Sequence, residues 1–437
     1  MKSEIINIGI CGLGTVGAGT VAVLRRNEQL IAARAQAKLR VSHVGVRHDR
    51  HGCDLADAKI SRDVFDVARD PDLDILVELI GGTQVAKELV QTAIDCGKHV
   101  VTANKALIAE FGNELFERAA KQGVELRFEA AVAGGIPIIK ALREGLAANQ
   151  VSWLAGIING TGNFILTEMR DKGREFSAVL AEAQQLGYAE ADPTFDVEGI
   201  DAAHKLVILA SIAFGVPLRF DSVYTEGITQ LTTQDVEYAQ ELGYVIKHLG
   251  IAKAHADGIE LRVHPTLIPE GVLLAGVDGV KNAVLVEGDA VGPTLYYGAG
   301  AGAAPTASAV VADIIDLARS TGRDHRVSVP SLGIARRELQ DRPIIAMARV
   351  ESPWYLRMEA VDKPGVLSRV ANILSEEGIS VEAVIQKPPA EGQSCVQLIM
   401  VTNKAAQSCV DQAVSSIESL DSITSTITRI RVEELDG

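Results

Sequence analysis

An apolar run at residues 4–11 passes directly into Gly12-Leu13-Gly14-Thr15-Val16-Gly17, and a long helical pattern continues to about Arg34. Strand, G-x-G-x-x-G and helix in that order open a doubly wound α/β domain of the Rossmann type, which binds a dinucleotide. The glycines let the main chain approach a pyrophosphate, and the helix N-terminus presents its amide hydrogens to that charge. Such a turn recurs by chance when it stands alone. At the head of an alternating β/α run it is specific, and it commits the first part of the chain to one architecture.

The run continues as that architecture requires. A second strand, Leu39–Val46, ends in Arg47-His48-Asp49-Arg50. NAD enzymes commonly carry an acid at this strand end for the ribose hydroxyls. Here Arg47 comes first, with Arg50 and Lys59 close by, which favours the 2′-phosphate of NADP; Asp49 keeps NAD open, and a solvated loop is the plainer alternative. A third strand and a Gly-Gly turn occupy 74–82, and a helix follows to about Gly97. The next strand, Val100–Ala103, ends in Asn104-Lys105. Ligands of doubly wound folds sit off these strand ends, so Lys105 is expected to face nicotinamide and substrate. The stretch 124–132 reads as a closing strand, and Gly134-Gly135-Ile136-Pro137 leads into a crossing helix to about Ala147.

From Val151 the pattern becomes an α+β insert: a strand, the turn NGTGN (159–163), helices near 164–172 and 177–187, and a helix over 232–250 with Thr232 and Asp235 as a capping pair. A glycine-rich loop at 296–302 feeds a helix that runs to Ser320. It reads as the chain returning to the nucleotide domain, with Gly300 to Gly302 passing near the cofactor. Residues 321–350 are irregular and connect domains. From Trp354 the order βαββαβ is ferredoxin-like, an antiparallel sheet whose open edge suits pairing with a second copy.

Within the insert, residues 186–215 carry the chemistry. Glu190, Asp192, Pro193, Asp196 and Glu198 precede a helix of nearly unbroken apolar residues in which Asp201 and Lys205 stand four apart, on one face. A surface salt bridge there would contribute ~0.3–0.5 kcal/mol. Ala202, Ala203, Leu206, Val207, Leu209, Ala210 and Ile212 surround the pair, however, and a buried lysine is costly unless it is paired or lines a cavity. An active-site lysine held among carboxylates is the better reading.

Net charge is −15 and no long basic block occurs, which argues against nucleic acid and anionic membrane surfaces as partners. No window of about eighteen apolar residues suggests a spanning helix. The start enters a strand without a signal peptide's apolar region, so a cytoplasmic location is expected. Five scattered cysteines, Cys11, Cys53, Cys96, Cys395 and Cys409, have neither metal-ligand spacing nor a disulfide framework.

GLGTVG (12–17), TANKALIA (102–109), NGTGNFIL (159–166) and GYAEADPTFDVEGIDAAHKLVILA (187–210) together resemble homoserine dehydrogenase over residues 1 to about 320. DKPGVLSRVANIL (362–374) resembles the opening of an ACT domain. The resemblance implies a Rossmann domain over 1–133 and 300–320, a catalytic and dimerisation domain over 134–299, a connector over 321–350 and an ACT regulatory domain over 351–437. It implies reversible interconversion of L-aspartate 4-semialdehyde and L-homoserine with a nicotinamide cofactor. Lys205 would be the acid/base, Glu190 and Asp201 would bind the substrate's amino end, and Asp196 would organise the acidic turn. Lys105 would touch cofactor and substrate; Leu13, Thr15 and Val16 would meet the pyrophosphate through main-chain groups. The family also carries a monovalent cation, usually sodium, in the loop matching Glu129, Val132, Gly134 and Ile136. Threonine is the effector expected at the ACT domain, whose Pro364-Gly365 helix start and Asp362 suit an amino acid, and a homodimer or homotetramer is implied. Two rival readings require different chemistry. Aspartate-semialdehyde dehydrogenase needs a catalytic cysteine, for which no cysteine here has the setting. A metabolite sensor needs no buried acid/base.

Overall fold

The computed structural model describes residues 5–48, 53–320, 329–387 and 394–435. They form two compact units: one from residues up to Gly160 with Asp201–Val223 and Val280–Arg342, the other from Thr161–Ile200, Tyr224–Gly279 and Pro343 onward.

In the first unit, β1 (Ile5–Cys11), α1 (Thr15–Arg26), α2 (Glu28–Ala35), β2 (Lys38–Gly45), β3 (Lys59–Ser61), α3 (Val64–Arg69), β4 (Ile75–Glu78), α4 (Gln84–Asp95), β5 (His99–Thr102), α5 (Lys105–Gln122) and β6 (Leu126–Arg127) build a six-stranded parallel sheet. Its order is β3-β2-β1-β4-β5-β6, so the strand order reverses at β1, the switch point of a doubly wound fold. Both sheet faces are covered, and β4 and β5 are buried along their whole length.

Three expectations change here. The helical pattern to Arg34 is two helices, because Asn27 leaves helical geometry at φ −112° and ψ 23°. The break lets Ile31 join Val23 and Leu24 against Ala307 and Val311 of α12 (Ala303–Ser320). The closing strand expected over 124–132 is only the two residues of β6. A 3-10 turn at Glu129–Ala131 follows, because the Glu129 carboxylate turns to accept from the amides of Ile139 and Lys140. The crossing helix is correspondingly short: α6 (Ile138–Lys140) and a π turn at Ala141–Gly145. Three antiparallel strands, β7 (Val151–Ile157), β11 (Lys281–Gly288) and β12 (Gly292–Ala299), complete this unit together with α10 (Ile200–Phe214). The glycine-rich loop thus begins as the end of β12.

The second unit holds α7 (Gly160–Lys172), α8 (Phe176–Gln185), α9 (Thr194–Val197), β8 (Tyr224–Thr225), α11 (Thr233–Glu241), β9 (Tyr244–His255) and β10 (Gly258–Pro269). NGTGN is not a turn before a helix but the first turn of α7, with Asn163 Nδ2 donating to Val277 O and Gly279 O. Thr232 and Asp235 do form a capping box. That helix stops at Glu241 rather than 250: Gly243 takes φ 82°, and the following residues are buried on both faces, which suits a strand. The βαββαβ unit is β14 (Trp354–Val361), α13 (Val366–Glu376), β15 (Val381–Gln386), β16 (Cys395–Thr402), α14 (Gln407–Glu418) and β18 (Thr428–Val432), with the short pair β13 (Glu351–Ser352) and β17 (Ala405–Ala406) beside it. Its antiparallel order is β18-β14-β16-β15. One edge of this sheet is already taken, since β18 pairs in parallel with β10 through Thr266–Arg431 and Leu267–Val432; β15 is the opposite edge.

Candidate active site

Gly12, Leu13 and Gly14 line a cavity of about 670 Å³ with Arg47, His48, Arg62, Leu79 and Ile80. Gly12 has φ 98°, and a Cβ there would lie 2.5 Å from Leu79 O; one on Gly17 would lie 2.0 Å from Gly12 O. At Gly14, by contrast, a Cβ would meet no protein atom within 4 Å. The first and third glycines let the chain fold upon itself, and the second keeps space open at the N-terminus of α1, where Thr15 is exposed and Val16 half-buried. Arg47 and His48 stand exposed after β2. Arg62, which drew no attention in the sequence, joins them because the unforeseen β3 pairs with β2 and carries it there. Asp49 and Arg50 lie outside the described residues.

The lysines gather around one carboxylate. Asp201 is buried in the first turn of α10. Lys205 Nζ donates to Asp201 Oδ2 and to Ile158 O, both at 2.7 Å, and its side chain is only 12% exposed. Lys105 opens α5, where Asn104 caps the helix by accepting from Leu107 N at 3.1 Å; its Nζ lies 3.1 Å from Asp201 Oδ1. Asn159 Nδ2 donates to Asp201 Oδ2 at 2.9 Å. Burial alone would raise the Asp201 carboxyl, but the charges of Lys205 and Lys105, with hydrogen bonds from Lys205 and Asn159, outweigh it and hold it at about 2. The pair is therefore no solvated surface bridge. One turn along, His204 stacks on Phe220 with ring centroids 4.0 Å apart and sets Nε2 3.2 Å from Glu110 Oε1, tying α10 to α5.

Glu190 and Asp196 belong to the other unit. Glu190 is exposed after α8, with its main-chain oxygen accepting from Gln184 Nε2, and Asp196 is half-buried in α9. Glu129, Val132, Gly134 and Ile136 lie on the turn that follows β6, with Ala133 at φ 52°. Beneath it, Glu129 N donates to Asp313 Oδ2 at 2.7 Å, and Asp313 Oδ1 is buried without a hydrogen-bond partner. Burial, with the Asp313 charge next, pushes the Glu129 carboxyl up to about 8; burial raises Asp313 to about 6. Gly302 is exposed at φ 126°, at the start of α12. Among the described residues, no group of three or more histidine, cysteine, aspartate or glutamate side chains gathers as a metal site.

Residues 137–315 match the family model described as Homoserine dehydrogenase, residues 12–129 its NAD binding domain, and residues 354–431 the ACT domain. Over 431 residues the chain is 58% identical to the homoserine dehydrogenase of Pseudomonas aeruginosa, covering 99% of each. It belongs to the homoserine dehydrogenase family.

The Bacillus subtilis homoserine dehydrogenase is 36% identical over 98% of this chain and 99% of its own. The crystal structure of a homoserine dehydrogenase from Thiobacillus denitrificans superposes with a TM-score of 0.95 at 56% identity, covering 99% of both chains. A hyperthermophilic archaeal homoserine dehydrogenase in complex with NADPH matches 73% of this chain and 99% of its own, with a TM-score of 0.62 at 25% identity. The chain is thus an oxidoreductase of amino-acid biosynthesis with a nicotinamide-dinucleotide domain and an ACT domain. No helix among the described residues is long and apolar enough to cross a membrane.

Proposed function

We propose that Lys205 moves the proton in the interconversion of L-aspartate 4-semialdehyde and L-homoserine. The observation that carries this reading is the single buried carboxylate holding Lys205 and Lys105 side by side. A dinucleotide bound at Gly12 to Val16 supplies or accepts the hydride. In reduction, the Lys205 ammonium gives its proton to the aldehyde oxygen, where charge develops; in oxidation, the neutral amine takes the hydroxyl proton. Ile158 O and Asp201 fix the direction of Nζ, and Lys105 reaches cofactor and substrate. Glu190 and Asp201 are assigned to the substrate's amino end, with Asp196 organising the acidic turn. The domains are read as 1–133 with 300–320, 134–299, the connector 321–350 and the ACT domain 351–437, with Gly302 passing near the cofactor; the packing of α12 on α1 and α2 supports the split first domain.

NADP is the preferred cofactor in this reading, because Arg47 and Arg62 both line the cavity, with Asp63 beside them. The enzyme should oxidise NADPH on addition of aspartate semialdehyde, and NADH more slowly. Replacing Arg47 and Arg62 with alanine should raise the KM for NADPH roughly tenfold or more, the worth of a charge-assisted hydrogen bond, while NADH is little affected. Equal use of both cofactors by the unaltered enzyme would refute the preference.

Main-chain oxygens of Glu129, Val132, Gly134 and Ile136 are proposed to hold sodium. The fit is electrostatic: two carboxyls with raised pKa lie buried at this turn, and a cation relieves their repulsion. The sign follows. Raised carboxyls stabilise the fold at low pH, and that contribution is lost as pH climbs from about 4.5 toward 8. Sodium chloride, against choline chloride, should therefore raise Tm more at pH 8 than at pH 5. An equal rise at both, or none, counts against the site.

Threonine is the proposed effector. A cavity of about 330 Å³ at the start of α13 is lined by Asp362, Lys363, Pro364, Gly365 and Gln386, with acid and amide hydrogens for a zwitterion. Millimolar threonine should inhibit, and Asp362→Ala in the intact chain should relieve that inhibition. Full activity of the intact enzyme in threonine would leave the ACT unit a structural role, such as dimer or tetramer assembly.

A further inference from the structure

Glu78 closes β4 wholly buried, in register with the buried Cys11 of β1, and its known partners are neutral. Oε1 accepts from Ile80 N at 2.9 Å and Gly81 N at 3.3 Å; Oε2 accepts from the Thr102 hydroxyl at 2.6 Å. Thr102, whose hydroxyl donates to the carboxylate, accepts from Asn104 N at 3.0 Å. Asn104 caps α5 and donates through Nδ2 to Gly82 O at 2.6 Å. Lys105 is the next residue. One carboxyl therefore gathers the carboxyl ends of two neighbouring strands, at the crevice where a doubly wound sheet meets its ligand.

We propose that Glu78 is a positioning residue for the reaction: through Thr102 and Asn104 it fixes the backbone from which Lys105 reaches Asp201, and through Ile80 and Gly81 it fixes the turn beside the cofactor cavity. The proposal rests on the reading that Lys105 serves cofactor and substrate. A purely structural role fits the chemistry poorly. Burial pushes the Glu78 carboxyl up, against the hydrogen bonds of Thr102, Ile80, Gly81 and Asn104. Holding a turn does not need a buried acid; a neutral amide of the same shape accepts from Ile80 and Gly81 equally well at lower desolvation cost. What the amide loses is the proton order. Its NH2 faces Thr102, whose hydroxyl must then accept, and the link to Asn104 is redirected.

The test compares Glu78→Gln, Thr102→Val, Thr102→Ser and Lys105→Ala in the full chain, reading Tm together with kcat and KM for homoserine oxidation. Glu78→Gln should melt no lower than the unaltered enzyme yet lose about tenfold or more in kcat/KM, the size of one charge-assisted hydrogen bond. Thr102→Val should show a similar loss, Thr102→Ser should recover most of it, and combining Glu78→Gln with Thr102→Val should add little, because the two act as a unit. Should Glu78→Gln fail to fold, the Thr102 pair carries the comparison alone. Activity that falls only in step with Tm, or Thr102→Ser as poor as Thr102→Val, overturns the assignment. Lys105→Ala impaired with Glu78→Gln fully active overturns it while sparing the reading of Lys105; Lys105→Ala fully active overturns both.

Discussion

Lys205→Ala should lower kcat about a thousandfold, within the range general acid–base catalysis supplies, while cofactor affinity stays within about twofold of the unaltered enzyme. The asymmetry follows from placement. Lys205 sits on α10 and bonds Asp201 and Ile158, whereas the glycine turn and Arg47 belong to other elements. The fold should survive, because Asp201 keeps Lys105 and Asn159 as partners. Lys205→Arg sharpens the test: arginine retains the charge beside Asp201 but does not release a proton near neutral pH. It should therefore be stable and nearly inactive. Turnover close to normal in Lys205→Ala removes this amine from the mechanism, and an equal loss of cofactor affinity would mean that the substitution had disturbed the nucleotide domain instead.

What could be read in advance, and what could not, divides along one line. Local signals were legible: the strand–glycine–helix order, the βαββαβ period and the Thr232–Asp235 capping pair depend on neighbours within a few residues. So did the burial of Asp201 and Lys205, since a nearly all-apolar helix has no solvated face to offer them. Misreadings arose where a distant partner overrode local preference. The strand expected over 124–132 breaks at Glu129 because its carboxylate caps a turn ten residues ahead. The helix expected to 250 stops because residues 244–255 pair with β10, and burying Lys247 and His248 in a strand is nothing a period reveals. Residues that complete the site were invisible for the same reason. Asn159 reaches Asp201 across forty-two positions, and Arg62 joins Arg47 only because β3 pairs with β2. Lys105 is legible from its strand-end position, yet its salt bridge to Asp201 joins segments far apart in the chain, which no local pattern reveals.

Asp201→Asn should be the most damaging substitution for stability and activity together. The amide keeps the shape but leaves two ammonium groups facing each other beside a neutral side chain. Removing one partner from a buried ionic cluster costs about 3–5 kcal/mol, far beyond the fraction of a kilocalorie of an exposed pair. Urea unfolding should show that loss at neutral pH. The pH dependence identifies its source. A carboxyl held at about 2 against an ordinary 3.8 contributes stability that is fully present above about pH 4 and disappears as pH falls toward 2. The gap between the unaltered enzyme and Asp201→Asn should accordingly close across that acid window and remain constant above it. Catalysis should fall with it. Without the anion, Lys205 Nζ loses the acceptor that, with Ile158 O, fixes its direction, so kcat for homoserine oxidation should drop as well. A variant with unchanged stability and unchanged kcat would show that this carboxylate does not hold the lysines.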